Sequence, residues 1–397
     1  MFNLNEKDYS NIERIAVISD SALGFGSPDI QGLADGLCKR FKAKGLLIQP
    51  DDINRPLIKL DFEADIRSTR VYSLLPTYTR SWRWDFFRQA GRLIDQFKPQ
   101  LVVAVGPNGY GATRAMRHKP RILCYYMLEM VTHEPLFANL HEVGGNANID
   151  CYIIPDAERF NIDFKYLNWK KDVPVDRIFL TAPIDYPRPM RSRSAEERNG
   201  KFIYFGSIHP TETLLDSMIS PDFDDVPIDF YGRISGSNRA DVVNRISATP
   251  NKYYGGLAPP QELVDLLPQY NYSLVTWLPE GSVARYYLPA TKLYHSIMAG
   301  VPVIAVSNPF NAYFIERYKC GLLLESWHKS SLQKTFQAAG EMRETDAYRT
   351  MVDNCKKLAE GAFNWESQVD RAENLVRTTL SKKWQRRYGK NKAATND

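Results

Sequence analysis

Short apolar runs alternate with longer amphipathic stretches along the chain, and this alternation is the strongest constraint on its fold. In the first half, the apolar runs have the length of strands, and helical stretches are predicted at 28–44 and Arg80–Phe97. The strands predicted for this half are 14–19, 45–49, 69–75, 101–105, 121–127 and 151–154. Strands joined by helical segments of this length form βαβ units, so the pattern predicts a parallel sheet covered by helices.

A polar stretch at 185–200, with two prolines and no apolar periodicity, interrupts the alternation and predicts an interdomain linker. The strands predicted after it are 202–206, 228–231, 272–277 and 303–306. We therefore predict an α/β chain of two Rossmann-like, doubly wound domains facing a cleft, an organisation that 397 residues can supply. The predicted parts are an N-terminal domain over 1–185, a linker over 186–200, a C-terminal domain over 201–364, and a C-terminal helix with a basic tail over 365–397.

Several classes of protein are excluded by composition. The five cysteines are odd in number, scattered and free of any CxxC pair, which argues against a disulfide framework and a zinc knuckle. The six histidines lack metal-ligand spacing, and the D-x-D pair of Asp222 and Asp224 occupies a loop rich in Pro and Asp. The first residues are polar, and no apolar run approaches the roughly 20 residues that span a bilayer. We expect a cytoplasmic protein without a bound metal.

The stretch from Tyr286 to Val306 carries the most specific motif. A turn containing Pro289 leads into a helix that stops at Gly300, and an apolar strand follows. Lys292 lies in the first turn of this helix, where a cation is unfavourable unless an anion is bound. The motif therefore predicts an anion site; an ordinary surface lysine on an αβ connection is the alternative.

This stretch resembles the nucleotide-sugar-binding motif of glycosyltransferases with the GT-B fold, in which P-x-x-K-L-[YF] leads through a helix to A-G-[VI]-P-V. The residues that match in register are Pro289, Lys292, Leu293, Tyr294, Ala299, Gly300, Val301, Pro302 and Val303. Residues 202–207, 254–267 and 318–323 resemble further elements of the donor domain of these enzymes. The resemblance implies the GT-B fold, with a C-terminal helix that crosses back onto the N-terminal domain. It also implies a nucleotide sugar, UDP-linked by family frequency, as co-substrate and no separate cofactor.

The resemblance also implies which residues hold the donor. These are Gly206, Ser207, Trp277, Arg285, Thr291, Lys292 and His295. His295 stands where retaining family 4 enzymes carry a Glu that meets the donor ribose, and Gly206 is not followed by their Arg and Lys. These departures make the chain more similar to the inverting glucuronosyltransferase family of xanthan assembly.

An inverting transfer needs one side chain that takes the proton of the acceptor hydroxyl. Glu129 follows the predicted strand at 121–127, and this is the matching position of that glucuronosyltransferase family. His133 is near in sequence and is the substitute candidate, whereas a capping or ion-pairing role for Glu129 is the alternative. The Gly-rich turn of Gly24, Gly26 and Ser27 follows the first predicted strand and is interpreted as a loop beside the donor phosphates and the acceptor.

The leading hypothesis is a metal-independent glycosyltransferase that acts on a saccharide or lipid-linked acceptor in the synthesis of cell-surface polysaccharide or glycan. The alternative is a non-catalytic saccharide- or nucleotide-binding protein that retains the fold. A nicotinamide-dependent oxidoreductase is disfavoured, because the G-x-G-x-x stretch that begins at Gly24 continues with Asp29 and Ile30 instead of a third glycine.

Basic residues are concentrated in two parts of the chain. Ten Lys and Arg against two acids lie between Arg67 and Lys119, and six basic residues with no acid lie between Lys382 and Lys392. Nucleic acid, a phospholipid headgroup and an anionic saccharide all fit such charge, and solvated surface is the alternative. Because Trp and Phe are interleaved with arginines at 80–92, and Trp384 lies in the tail, we favour an anionic membrane surface over nucleic acid. The crossing C-terminal helix would bring 80–92 and 382–392 to one face, predicting peripheral attachment at the inner face of the membrane.

Overall fold

The computed structural model describes residues 6–19, 21–23, 28–51, 62–76, 79–128, 149–154, 178–180, 193–235, 238–258, 260–278, 286–287, 290–361 and 363–389. The chain divides into two compact units. The first unit consists of Met1–Ile184 and Trp365–Asp397, and the second is Asp185–Asn364.

The first unit is built on a seven-stranded parallel sheet of order β3-β2-β1-β4-β5-β6-β7. Its strands are β1 (Arg14–Ile18), β2 (Lys44–Pro50), β3 (Ile66–Val71), β4 (Leu101–Val105), β5 (Ile122–Tyr126), β6 (Cys151–Ile154) and β7 (Ile178–Leu180). Because β1 pairs with both β2 and β4, the strand order reverses there, as in other doubly wound sheets.

Helices cover both faces of this sheet, because successive residues of each buried strand point to opposite sides. The helices of this unit are α1 (Glu6–Ser10), α2 (Pro28–Phe41), α3 (Arg80–Phe97), α4 (Gly106–Ala115) and, from the end of the chain, α12 (Trp365–Trp384). Ile15 and Val17 lie in the core with α2 and α12, whereas Ala16 and Ile18 lie in the core with α3 and α4.

The C-terminal helix crosses back onto the first unit, as predicted. Two glycines of α2 allow the close approach, since a Cβ at Gly32 would lie 2.5 Å from the Trp365 ring and one at Gly36 would lie 2.6 Å from Val369. For the described residues of these two stretches, 80–92 and 382–389, the expectation that this crossing brings 80–92 and 382–392 to one face is wrong. The helix α3 and the helix α12 cover opposite faces of the sheet, because their core side chains meet alternate residues of the same strands.

The second unit is built on a six-stranded parallel sheet of order β10-β9-β8-β11-β12-β13. Its strands are β8 (Phe202–Phe205), β9 (Ile228–Tyr231), β10 (Lys252–Gly256), β11 (Tyr272–Val275), β12 (Val303–Val306) and β13 (Gly321–Leu324). Its α-helices are α5 (Leu215–Met218), α6 (Arg239–Ala248), α7 (Pro260–Leu266), α8 (Thr291–Met298), α9 (Pro309–Tyr318), α10 (Lys329–Met342) and α11 (Asp346–Glu360). The strand order reverses between β8 and β11, so the carboxyl ends of these two strands flank the crevice in which such sheets bind ligands.

Residues 193–200, which the sequence assigns to a linker, belong to the second unit and contact its interior. The buried guanidinium of Arg198 donates to the carbonyl of Tyr270 at 2.8 Å and to the carbonyl of Gly300 at 2.7 Å. Gly300 lies directly after α8, so Arg198 satisfies a carbonyl at the end of that helix. This contact helps to hold α8 in position.

In the part of the chain that the structure describes, no helix combines the length and the apolar composition that crossing a membrane requires.

Candidate functional site

Three neighbouring strands of the second sheet end at glycines with positive φ. Gly206 follows β8 (φ 107°), Gly232 follows β9 (φ 145°) and Gly256 ends β10 (φ 79°). A Cβ at Gly232 would lie 1.7 Å from the carbonyl oxygen of Gly206, so no other residue fits there without moving the backbone. A Cβ at Gly256 would meet nothing within 4 Å and one at Gly206 would meet only the Lys292 side chain, so the backbone at these two glycines is open to the close approach of a ligand.

Lys292 points at this edge from the first turn of α8. Its Nζ donates to the hydroxyl of Tyr204 at 2.7 Å, and that hydroxyl donates in turn to the carbonyl of Ser207 at 2.7 Å. A Cβ at Gly206 would meet only the end of the Lys292 side chain, at 3.6 and 3.7 Å. The ammonium group therefore lies directly beside the glycine turn after β8.

The side chain of Lys292 is buried. Its exposed fraction is 8%, and among the described residues no carboxylate pairs with it. Burial lowers the pKa of Lys292 to about 7, because the low dielectric penalises the charged form. Burial also raises the pKa of the Tyr204 hydroxyl, so this partner stays neutral and supplies no counter-charge. A bound anion is the partner that would restore the full charge of Lys292.

The aromatic ring of Trp277 is held near the same ammonium group. Nζ of Lys292 lies 5.5 Å from the centroid of the Trp277 ring. The residues on either side of Trp277 are tied to the loop after β8: Thr276 Oγ1 donates to the carbonyl of Thr213 at 2.9 Å, and the Leu278 amide donates to the carbonyl of Glu212 at 2.7 Å. The end of β11 and the loop after β8 thus form one hydrogen-bonded wall.

The N-terminus of α8 adds a partial positive charge. The helix begins at Thr291, its N-cap residue Ala290 makes no side-chain hydrogen bond, and the first turn contains no acid. Ser296 Oγ donates to Ser273 Oγ of β11 at 2.7 Å, which fixes the helix on the sheet. The backbone amides of this turn and Lys292 can therefore act together on an anion.

Three further predicted donor residues of this unit, Ser207, Thr291 and His295, are described by the structure. Thr291 is exposed at the start of α8. His295 lies one turn after Lys292, and its ring stacks on Phe205 with centroids 6.1 Å apart. Ser207 is exposed, with its Oγ 3.2 Å from Ser235 Oγ. The structure thus places Gly206, Ser207, Trp277, Thr291, Lys292 and His295 around the carboxyl ends of β8 and β11.

Other predicted site residues lie outside the described part of the chain. These are Glu129, His133, Arg285, Gly24, Gly26 and Ser27. Among the described residues, Tyr126 at the end of β5 donates its hydroxyl to a carboxylate oxygen of Asp29 at 2.7 Å, and both residues are buried. This bond links the carboxyl end of β5 to the first turn of α2.

Two contributors to the lysine site were missed from sequence. Tyr204 lies inside the predicted strand 202–206 and is not among the residues that the sequence analysis assigns to the donor site; its position two residues before Gly206 is the signal that could have identified it. Gly232 was not singled out, and only the structure shows that it allows β9 to end against Gly206.

The D-x-D pair lies away from this edge. Asp222 pairs with Lys329, and the loop that carries it leads into the amino end of β9, at the opposite edge of the sheet. Within the described ranges, no three His, Cys, Asp or Glu side chains form a group that could hold a metal ion.

Comparison with known proteins identifies the fold. No protein-family model matches the sequence, and no curated protein matches it. Solved structures, however, are similar over nearly the whole chain. Sucrose-phosphate synthase from Thermosynechococcus elongatus matches 93% of this chain and 100% of its own, with a TM-score of 0.67 at 13% identity.

Two further solved structures are similar to the same extent. WaaG, a glycosyltransferase involved in lipopolysaccharide biosynthesis, matches 91% of this chain and 99% of its own, with a TM-score of 0.65 at 11% identity. The Anabaena protein HepE, solved in complex with UDP and glucose, matches 93% and 100%, with a TM-score of 0.64 at 12% identity. At sequence identities of 11% to 13%, these similarities show a shared fold. The chain has the two-domain α/β GT-B fold of these glycosyltransferase structures.

Proposed function

We propose that the protein is a glycosyltransferase that moves a sugar from a nucleotide-sugar donor to a saccharide or lipid-linked acceptor. The observation that carries the proposal is the buried Lys292 at the carboxyl edge of the second sheet, which pairs with no carboxylate of the described residues. The fold supports it as well, because structures with the same architecture include HepE in complex with UDP-glucose. The donor is proposed to be UDP-linked for this reason.

The donor diphosphate is proposed to bind at the glycine turn after β8. Lys292 Nζ and the first amides of α8 supply positive charge from one side, and the backbone at Gly206 and Ser207 supplies close approach from the other. His295 lies one turn along α8, on the ribose side expected for that position. Arg285 and Thr291 are proposed to add donors at the mouth of the site.

The proposed reaction inverts the anomeric carbon and uses no divalent metal. The acceptor hydroxyl oxygen attacks this carbon, the bond from the carbon to the diphosphate oxygen breaks, and Glu129 takes the hydroxyl proton. His133 is the substitute base. The negative charge that develops on the leaving diphosphate is stabilised by Lys292 and the N-terminus of α8. The xanthan-type glucuronosyltransferases are the proposed relatives for this mechanism, and cell-surface polysaccharide or glycan synthesis is the proposed setting.

A donor screen tests the proposal directly. Thermal shift with a panel of nucleotide sugars should identify a stabilising donor, because a ligand that binds only the folded state raises its stability. Lys292→Ala should raise the Kd of that donor at least about tenfold, the loss of one charge-assisted contact. Lys357→Ala removes an exposed lysine on α11 and is the matched control, which should leave the Kd unchanged.

Two outcomes would contradict the proposal. An unchanged Kd for Lys292→Ala would remove this residue from the site. Donor binding without sugar transfer or donor hydrolysis, in assays with saccharide and lipid-linked acceptors, would instead identify a binding protein that retains the fold.

A further inference from the structure

The carboxyl end of β3 and the following helix α3 expose large apolar side chains on one surface of the first unit. Leu74 is fully exposed at 106%, Trp84 is 60% exposed, and Tyr72 and Leu75 are exposed as well. Single exposed apolar residues are normal on soluble proteins, but a group on adjoining elements marks an interaction site. We call residues 72–75 and the outward side of α3 the β3–α3 surface.

The exposure is not a consequence of a loosely attached loop. Gln89 of α3 donates its amide to the carbonyl of Tyr72 at 3.1 Å. Thr79 Oγ1 donates to the carbonyl of Pro76 at 2.7 Å and accepts from the Trp82 amide at 3.3 Å, which caps α3. The loop is therefore fastened to the helix at both ends, and its leucines still point into solvent.

The inward side of α3 is a conventional apolar contact with the sheet. Its buried residues are Trp82, Phe86, Phe87, Ala90, Gly91 and Ile94. Trp84 does not belong to this side. It shares the outward side with Arg80 and Arg88, which are four residues away on either side of it.

The charge of the surface indicates what covers it. Arg80, Arg88 and Arg92 are exposed, and Arg88 pairs with Asp85 at 3.0 Å. The chain from Arg67 to Lys119 holds ten basic residues against two acids. Exposed leucines and a Trp between arginines are suited to the surface of an anionic bilayer. There, apolar side chains insert between the acyl chains just below the headgroups, and guanidinium groups bind the lipid phosphates.

We propose that the β3–α3 surface binds an anionic bilayer, with Leu74 and Leu75 inserted below the headgroups and Trp84 at their level. The described part of the basic tail, residues 382–389, is not part of this surface. Trp384 and Tyr388 pack against the core on the α12 side, and Lys383 pairs with Asp150 at 2.7 Å.

The position of the surface bears on the acceptor, and this step rests on the proposed function. Residues 72–75 follow the carboxyl end of β3, and the carboxyl end of β5 lies at the same edge of the same sheet. Four strand spacings separate β3 from β5, which is about 19 Å. A lipid-linked acceptor could therefore reach the carboxyl end of β5, the strand that Glu129 follows in the sequence, while its lipid stays in the bilayer on which the β3–α3 surface rests.

Sedimentation of the full chain with phosphatidylcholine vesicles, with and without phosphatidylglycerol, tests the surface. Binding should require phosphatidylglycerol and weaken in high salt. Leu74→Ser with Leu75→Ser should weaken binding at least about tenfold, since two inserted side chains are lost. Arg80→Gln with Arg88→Gln should weaken it to a similar extent, at about fivefold for each charge. All four side chains are exposed, so the fold should tolerate these changes.

Matched controls come from the same chain. Arg386→Gln with Arg387→Gln removes the same charge from the tail and should leave binding unchanged. Trp84→Ala should weaken binding, whereas the control Trp327→Ala, which removes another exposed tryptophan, should not. Brominated phosphatidylcholine should quench a part of the tryptophan emission that disappears in Trp84→Phe. This quenching reports insertion and requires no nucleotide sugar.

Three results would overturn the proposal. The first is that the protein does not bind anionic vesicles. The second is that the tail variant loses as much vesicle binding as the Arg80 and Arg88 variant. The third is that the protein binds no vesicles but self-associates in analytical ultracentrifugation, and that Leu74→Ser with Leu75→Ser abolishes this self-association. The last result would make the surface an interface between copies of the chain. Normal vesicle binding without sugar transfer would contradict the proposed function and leave the membrane surface intact.

Discussion

The buried ammonium of Lys292 should couple donor binding to the uptake of a proton. Burial lowers its pKa to about 7, so a large fraction of the free protein carries a neutral amine near neutral pH. A diphosphate beside Nζ favours the charged form and raises this pKa on binding. The amine therefore takes a proton from solvent as the donor enters.

The size of the effect follows from the pKa. A group that titrates at about 7 when free and stays charged in the complex takes up about half a proton at pH 7 and about nine-tenths at pH 8. The Kd of the donor should accordingly rise by about fiftyfold between pH 7 and pH 9. A donor sugar bound through a diphosphate diester, such as UDP-glucose, has no phosphate that titrates in this range.

Isothermal titration calorimetry in two buffers of different ionisation enthalpy counts the protons. The matched variant is Lys292→Arg, because a guanidinium stays charged throughout and should show no uptake from this position. Zero uptake in the wild type at pH 8, or equal uptake in Lys292→Arg, would refute the reasoning that the buried lysine meets the diphosphate.

Three further predictions follow from the mechanism and the glycine edge. Glu129→Gln should lower kcat by about 10²- to 10⁴-fold and leave the donor Kd unchanged, and NMR of the wild-type product should show an inverted anomeric configuration. A near-normal kcat in this variant, or a product of retained configuration, would contradict the assignment of the base. EDTA should leave the transfer rate unchanged, and a loss restored by Mg²⁺ or Mn²⁺ would contradict the metal-free step. Gly232→Ala should lower the free energy of unfolding in urea by at least about 2 kcal/mol, because its Cβ meets the Gly206 carbonyl oxygen. The control Gly340→Ala, in the helix α10 with open space around it, should raise that free energy by about 0.5–1 kcal/mol, and equal destabilisation of both would count against the close approach.

The buried elements of the fold could be predicted closely from the sequence. The strands Leu101–Val105 and Cys151–Ile154 and the helix Arg80–Phe97 lie where the pattern predicts them. Each combines continuous or periodic apolar residues with a clear boundary, such as the N-cap Thr79 of α3. Apolar periodicity reports burial directly, so buried elements are the ones that it locates well.

The exposed edges could not be predicted in the same way. β3 was predicted at 69–75 and lies at Ile66–Val71, because Leu74 and Leu75 are apolar but exposed and do not extend the strand. β10 and β13 were not predicted as strands, since they are short edge strands that contain glycine. At the site, the motif located Lys292, but its hydrogen bond to Tyr204 joins residues 88 positions apart and depends on how β8 meets α8. Only tertiary structure brings such a pair together.

The return of α12 to the first unit has a consequence for how the chain is made. The second unit is one continuous segment, Asp185–Asn364, whereas the core of the first unit includes Trp365, Val369 and Val376 from the end of the chain. During synthesis, the second unit is complete before the helix that covers α2 has been made, and domains generally fold as units during synthesis. The first unit is therefore the last to complete its fold, although its synthesis begins first. Until α12 has been made, the surface of α2 at Gly32 and Gly36 remains exposed to other apolar segments.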